Sequence, residues 1–373
     1  MIFLLSPCQE GAFSQMLSAP GPPPAPLQRG CYAAGEHRRV TGDQKGATVA
    51  SLLAGARART PLPVADGRSG SALERVTLAD GRVVVVKRVA PAWDWIMRAT
   101  NDRGRIAELW SSGLLARVPA EIEHGMLGVE PDGGAWLVIM RDLAASLLPD
   151  DARLSRAQHR RVLDAAAALH AAFWSAPHEP ALCSLADRYT FLSPDTARRD
   201  RGPLASAILR GWERFAEVVP ADVGEAVLAL ARDPEPLAAA LARFPATLIH
   251  GDLKLGNLGL APGRVVLVDW GTQTGWAPPA VELAWHLAIN ASRIDAGKDE
   301  LLADARAAAG QRHDEDALRL ALLGGLVQLG WDKALQASEH PDAAVRAREA
   351  DDLAWWVRRA RSALALLPVD GTF

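Results

Sequence analysis

The sequence predicts an α+β protein of two lobes, a small antiparallel-sheet N-lobe followed by a larger, mainly helical C-lobe. Three observations carry that prediction. Between Leu73 and Met140, short apolar runs alternate with turn residues, as in hairpin-linked strands. From Ser155 onward, apolar residues recur at helical spacing over long stretches. Within that helical region, residues 246–271 return to short apolar runs broken by Gly, Pro, Asn and Asp. With 373 residues, 49% hydrophobic and 23% charged, the composition is that of an ordinary globular chain long enough for two lobes.

Residues 1–46 read as a disordered N-terminal extension. Met1-Ile2-Phe3-Leu4-Leu5 is apolar, but it is too short for a signal peptide and no basic residue precedes it. Residues 19–26, Ala-Pro-Gly-Pro-Pro-Pro-Ala-Pro, cannot form a helix or a central strand. No apolar run approaches the roughly 20 residues that span a bilayer. A formal net charge of −3 supplies no basic field for nucleic acid or an anionic membrane, so neither partner is expected. Cys8, Cys31 and Cys183 are odd in number and far apart, without metal or redox spacing, which suits a reducing cytoplasm. The nine histidines form no metal motif.

Residues 47–143 hold the N-lobe, expected as five strands and one helix. Asp66-Gly67-Arg68-Ser69-Gly70-Ser71 is a polar turn rich in backbone donors. Backbone N–H groups at Gly67, Ser69, Gly70 and Ser71 can cradle phosphate oxygens, although the turn also reads as an ordinary loop. A strand over Leu73–Leu78, the hairpin signal Asp80-Gly81 and a strand from Val83 follow. That second strand ends in Lys87-Arg88-Val89, and period-2 alternation sets Lys87 on the face of Val83, Val85 and Val89. A lysine on an apolar face needs a partner, which phosphates and a carboxylate would supply. The blander reading is a strand-end lysine reaching water, with Arg88 as the other candidate. Ile106, Leu109, Trp110 and Leu114 have helical spacing within 102–116, and Glu108 is the carboxylate inside that helix. Glu108 would pair with Lys87, or with Arg105 on the helix surface. Strands over Glu121–Val129 and Ala135–Met140, joined through Pro131-Asp132-Gly133-Gly134, complete the lobe.

Residues 144–373 form the C-lobe. Ser155-Arg156-Ala157-Gln158 is a capping-box pattern opening a helix through Trp174, with Val162, Leu163, Ala166, Leu169, His170 and Phe173 on one stripe. Residues 246–249 are a short apolar strand delivering His250-Gly251-Asp252-Leu253-Lys254-Leu255-Gly256-Asn257. Two apolar runs around Pro262-Gly263 make a hairpin that ends in Leu267-Val268-Asp269-Trp270-Gly271. The hairpin carries Asp269 back beside Asp252 and Asn257. Asn257 and Asp269 then offer hard oxygen ligands to Mg²⁺, while Asp252 is placed to accept a proton from a hydroxyl. Lys254 would stabilise charge on a transferring phosphoryl group, or is simply solvated. His250 would orient the loop by bonding backbone near Asp269.

The pattern H-G-D-x-x-x-x-N followed by hydrophobic-Asp-Trp resembles the aminoglycoside phosphotransferase and choline-kinase branch of the protein-kinase-like fold. The resemblance covers residues 60–365 in outline and is sharp only over 246–286. It implies ATP and Mg²⁺ as co-substrates and phosphoryl transfer to a hydroxyl of a small molecule. It also places Val85 against adenine and makes Met140-Arg141-Asp142 the hinge whose backbone meets the adenine edge. Gly271 stands where the family often has an acidic residue, and Glu282 where an Asp often braces the catalytic loop. His170 matches a family histidine but reads as a core residue. The link from Gly271 to Pro278 is too short for a peptide-docking segment, which favours a small acceptor over a protein. Residues 283–367 read as helical, with Trp331, Trp355 and Trp356 as packing or pocket residues. Asp295, Asp299, Glu300, Asp314, Glu315 and Asp316 would attract a cationic acceptor or merely line solvated helices. A non-catalytic nucleotide-binding regulator and, less favourably, a protein kinase are the alternative functions.

Overall fold

The computed structural model describes residues 49–62, 71–178, 181–200 and 202–368. The expectations for residues 1–46 and for Gly67, Ser69 and Gly70 lie outside the described residues. The N-terminal part is a five-stranded antiparallel sheet. Its strands run in the order β1 (Ala58–Pro61), β2 (Ala72–Thr77), β3 (Val83–Val89), β6 (Ala135–Arg141) and β5 (Met126–Asp132). Gly133 and Gly134, at φ 55° and 84°, give the left-handed pair that a tight β5–β6 hairpin requires.

Strand alternation divides the sheet into two faces. Val76, Val84, Val86 and Ile139 form a separate small core on the outer face, together with Val49 of α1 (Val49–Leu53). Leu73, Val85, Lys87 and Met140 are half-buried on the opposite face. This inner face looks toward the helical part, because Lys87 reaches across to Asp269.

Three sequence expectations need correction here. The strand expected over 121–129 is broken at Gly125, whose φ is 68°. Its first piece, β4 (Ile122–Glu123), leaves the sheet and pairs in parallel with β10 (Arg264–Leu267). The helix expected over 102–116 is shorter: α3 (Arg105–Ser111) lies between Gly104 and Gly113, at φ 130° and 72°. A 3-10 turn at Leu114–Arg117 follows it. The sheet also carries three short helices rather than one, since α1 and α2 (Trp95–Ala99) were not anticipated.

The C-terminal part opens with β7 (Leu154–Ser155) and α4 (Arg156–Ala172), whose capping box has both reciprocal bonds, Ser155 Oγ to Gln158 N and Gln158 Oε1 to Ser155 N. Five helices follow: α5 (Leu185–Thr190), α6 (Pro194–Ala197), α7 (Pro203–Val218), α8 (Ala221–Arg232) and α9 (Glu235–Leu241). The β interruption comprises β8 (Thr247–Ile249), β9 (Leu258–Ala261), β10 and β11 (Gly275–Ala277). Next come α10 (Pro279–Asn290), β12 (Ile294–Asp295), α11 (Lys298–Ala309), α12 (Glu315–Glu339) and α13 (Ala343–Leu364).

One continuous apolar core runs from α2 and α3 through the whole helical part. Its centre is α12, with Leu323, Leu326, Val327 and Trp331 fully buried. Close packing there rests on missing side chains. A Cβ at Gly211 of α7 would lie 2.4 Å from the Trp331 carbonyl oxygen. Gly211→Ala would gain about 1 kcal/mol in helix propensity. Overpacking costs about 1–3 kcal/mol, and the obstruction here is backbone, which yields least. The expected result is a net loss of up to about 2 kcal/mol, seen as a lower urea midpoint at unchanged slope; equal or greater stability would contradict this packing.

Candidate active site

The buried strand β8 ends at Ile249, and His250 opens a loop whose course depends on one glycine. Gly251 has φ 85°, and a Cβ there would sit 1.9 Å from the Gln273 carbonyl oxygen. The loop is thereby pressed against the segment that follows Asp269. The hairpin β9–β10, in register Leu258 to Leu267, closes with Val268 N donating to Asn257 O at 3.0 Å. That pairing carries Asp269 back to the 250–257 loop, at a left-handed φ of 66° that Asp tolerates better than most residues. Gly271 follows at φ 124°, a backbone conformation that residues with side chains rarely adopt, with Ile106 Cβ 3.0 Å from where a Cβ would lie.

Asp252 is buried with three side-chain donors around its carboxylate. Trp285 Nε1 donates to Oδ1 at 3.1 Å, while Lys254 Nζ and Asn257 Nδ2 donate to Oδ2 at 2.6 and 3.0 Å. Burial alone would raise its pKa, but Lys254 outweighs that and holds the carboxyl below its usual range. Asn257 Nδ2 also donates to the Asp252 carbonyl at 2.9 Å, which leaves its carboxamide oxygen as the ligand-capable atom.

Lys87 Nζ meets Asp269 Oδ1 at 2.6 Å, with both side chains half-buried. Burial opposes the ammonium, yet Asp269, Asp94 and Asp252 together raise its pKa. Burial likewise opposes the Asp269 carboxylate, and Lys87 with Lys254 holds it well below the ordinary carboxylate range. Both oxygen donors, on Asn257 and Asp269, suit a hard cation. Among the described residues no group of three or more His, Cys, Asp or Glu could cage a metal. A cation here would therefore depend on oxygens brought by a substrate, which is the habit of Mg²⁺.

Glu108 does not pair with Lys87. Ile106 and Leu109 turn α3 toward the core, which leaves Glu108 on the exposed side. Arg105 is not its partner either, since it binds Asp187 at 2.9 Å together with the carbonyls of Thr272 and Thr100. Val85 and Met140 are cross-strand neighbours on the inner face of the sheet. The Asp142 side chain accepts from Arg75 Nε at 2.7 Å. Ser71 is buried and donates to Asp94 at 3.1 Å.

The sequence reading missed most of the support beneath the loop. Glu282 Oε1 accepts from Gly251 N at 2.8 Å and Oε2 meets His170 Nε2 at 2.7 Å, so the longer side chain bridges both. Trp285 holds Asp252, His286 Nδ1 donates to the Leu253 carbonyl at 2.7 Å, and Asn290 bonds Leu255 N and Leu253 O at 3.0 and 2.9 Å. These four residues share one face of α10. Polar residues at helical spacing within an otherwise apolar helix were the available signal. His250 lies under the loop, Nδ1 accepting from Asp252 N at 3.2 Å and Nε2 donating to Val268 O at 3.1 Å. Those two bonds require the neutral ring, and burial lowers its pKa accordingly.

The acidic residues of the C-terminal helices are already engaged. Asp295, Asp299, Glu300, Glu315 and Asp316 pair with Arg153, Arg359, Arg156, Arg306 and Arg319, and Asp314 caps α12. Trp331, Trp355 and Trp356 are buried packing residues.

The model of a family described as the phosphotransferase enzyme family matches residues 60–323. No curated protein sequence matches the chain significantly. A choline kinase from Streptococcus pneumoniae has a similar fold at TM-score 0.51 and 12% identity, covering 83% of this chain and 96% of that one. An aminoglycoside phosphotransferase from Streptomyces rimosus is 22% identical with TM-score 0.45, covering 73% of this chain and 93% of that one. The Streptococcus choline kinase in complex with AMP gives 12% identity and TM-score 0.45, over 80% of this chain and 94% of that one.

Two measurements test the site's framework. Glu282→Ala would strand the Gly251 N–H and the His170 ring in the interior, at a cost of about 2–4 kcal/mol in urea unfolding; a loss below about 0.5 kcal/mol would show that Glu282 is not the brace. Acid stability is the second. Burial, with His286 stacked 5.2 Å away, pushes the His159 pKa down to about 3, and burial also lowers His250 and His286. The unfolded chain then binds protons that the native one refuses, so stability is full above the ordinary histidine value of 6.5 and falls as pH drops below it. His159→Gln should flatten that decline between about pH 6 and pH 4; an unchanged slope would contradict the assignment.

Proposed function

Because the chain belongs to the phosphotransferase enzyme family, we propose that it transfers the γ-phosphoryl group of ATP, with Mg²⁺, to a hydroxyl of a small molecule. The observation that supports this reading is that Lys87 meets Asp269 while Lys254 and Asn257 converge on Asp252, the β9–β10 hairpin joining the two groups. Lys87, on the inner face of β3, holds phosphate oxygens, and Val85 and Met140 beside it offer an apolar surface for the base. Asn257 and Asp269 would hold Mg²⁺, whose charge would offset that on the transferring group.

Asp252 orients the acceptor hydroxyl. As the new O–P bond forms and the bond to ADP breaks, the hydroxyl proton passes to Asp252. Its low pKa suits late proton acceptance in a loose transition state, where positioning matters more than basicity. Trp285, Asn257 and Lys254 fix the carboxylate in one orientation. Lys254 also brings positive charge next to the transferring group.

A small acceptor is favoured because the link after Gly271 is folded into β11, paired with β8, and leaves no segment to dock a peptide. Hydroxyl compounds such as aminoglycosides, amino alcohols and sugars are the acceptor classes to screen. The need for ATP places this work in the cytoplasm, and no helix among the described residues is long and apolar enough to cross a membrane.

An ADP-release screen across those classes tests the activity. Asp252→Asn should lower kcat by about 10²–10⁴-fold while leaving nucleotide affinity within about threefold. Asp269→Asn should instead weaken nucleotide binding mainly when Mg²⁺ is present. Similar turnover in both variants and the parent would rule out these roles.

A further inference from the structure

We infer that Asp94, not Glu108, is the carboxylate that positions Lys87 while nucleotide is bound. The inference rests on the nucleotide-site reading above and assigns one more residue to it. The strand register sets Leu73 opposite Lys87 and Ala72 opposite Arg88, so Ser71 falls opposite Val89. Alternation then gives Ser71 the same face as Leu73 and Lys87. The Ser71 hydroxyl donates to Asp94 Oδ2 at 3.1 Å, which brings that carboxylate to the lysine's side of the sheet.

Asp94 is held firmly. Its Oδ1 accepts from Ile96 N and Met97 N at 2.9 and 3.1 Å, capping α2, and buried Trp95, Ile96 and Met97 fix that turn in the core. A buried carboxylate is costly without an opposing charge. Burial does raise the Asp94 pKa, and Lys87 is the foremost influence pulling it back.

Asp269 has two demands on it that compete. In this structure it pairs with Lys87. A cation held by Asp269 would draw on that charge, and Lys87 would then be needed by phosphate oxygens. A half-buried ammonium in that position would still need a fixed counter-charge, and Asp94, held on the same side of the sheet by Ser71, already acts on Lys87 alongside Asp269. Glu108 points to solvent and cannot serve.

The test uses equilibrium titration with a fluorescent ATP analogue, with and without Mg²⁺, plus steady-state ADP release and thermal unfolding. Asparagine caps helices as well as aspartate, so Asp94→Asn keeps the structural role and removes only the charge. Asp94→Asn should weaken nucleotide binding about tenfold and lower kcat, with little change in Tm. Ser71→Ala, which frees the carboxylate without touching the cap, should give a smaller loss of about two- to threefold in the same direction. Glu108→Gln should change neither. Lys87→Met serves as the reference: if it leaves nucleotide affinity intact, the nucleotide-site reading fails and this inference with it. If Lys87→Met weakens binding but Asp94→Asn and Ser71→Ala do not, or if Glu108→Gln reproduces the loss, the assignment to Asp94 is overturned. Should Asp94→Asn fail to fold, Ser71→Ala alone decides by the same criterion.

Discussion

A loop can hold charged groups in a protein interior only if another element satisfies the polar groups it buries. Here that element is α10. Glu282, Trp285, His286 and Asn290 bind the loop at Gly251, Asp252, Leu253 and Leu255 in turn, so the helix reads the loop almost residue by residue. An unmet buried donor or acceptor costs about 1–3 kcal/mol, and several in one loop would rival the stability of a whole domain. The loop and the helix are therefore one unit. The placement of Asp252 and Asn257 follows from that unit rather than from the loop's own preferences.

The second tie is electrostatic and joins the two parts of the molecule. Lys87 comes from the sheet and Asp269 from the hairpin beyond the loop, and they meet at 2.6 Å. Each is costly to bury alone, so each makes the other tenable. The same charges that lower the carboxylate pKa values keep Asp252 and Asp269 ionised, which is the state that the proposed metal coordination and proton acceptance require.

Features set by neighbouring residues were legible in the sequence. The Asp80-Gly81 and Pro262-Gly263 turns, the Ser155–Gln158 capping box and the loop between β8 and β9 all depend on contacts a few residues apart. The closeness of Asp269 to Asn257 could be read because one short hairpin joins them. Features decided at long range were not legible. Nothing near Ile122 announces that it will pair with Val265, more than a hundred residues away. The exposure of Glu108 was in fact legible, since Ile106 and Leu109 set the buried face of α3 and leave Glu108 on the other side. The α10 brace was overlooked except at Glu282, because polar side chains on a buried helix reveal their purpose only when the loop they hold is in place.

The parallel pairing of β4 with β10 has a mechanical consequence. It staples residues 122 and 123, which lie between α3 and β5 in the chain, to the hairpin that carries Asp269. Any swivel of the five-stranded sheet against the helices must then pivot beyond that staple. Gly125, at φ 68° and closed over by Leu143, marks one strand of the pivot, and the connection after Arg141 marks the other. The two run side by side, joined where Arg141 N donates to Gly125 O at 2.8 Å. With the Lys87–Asp269 pair, these paired connections tie the sheet to the helical part at two places, so the separation of the two charged groups is set by backbone as well as by their attraction.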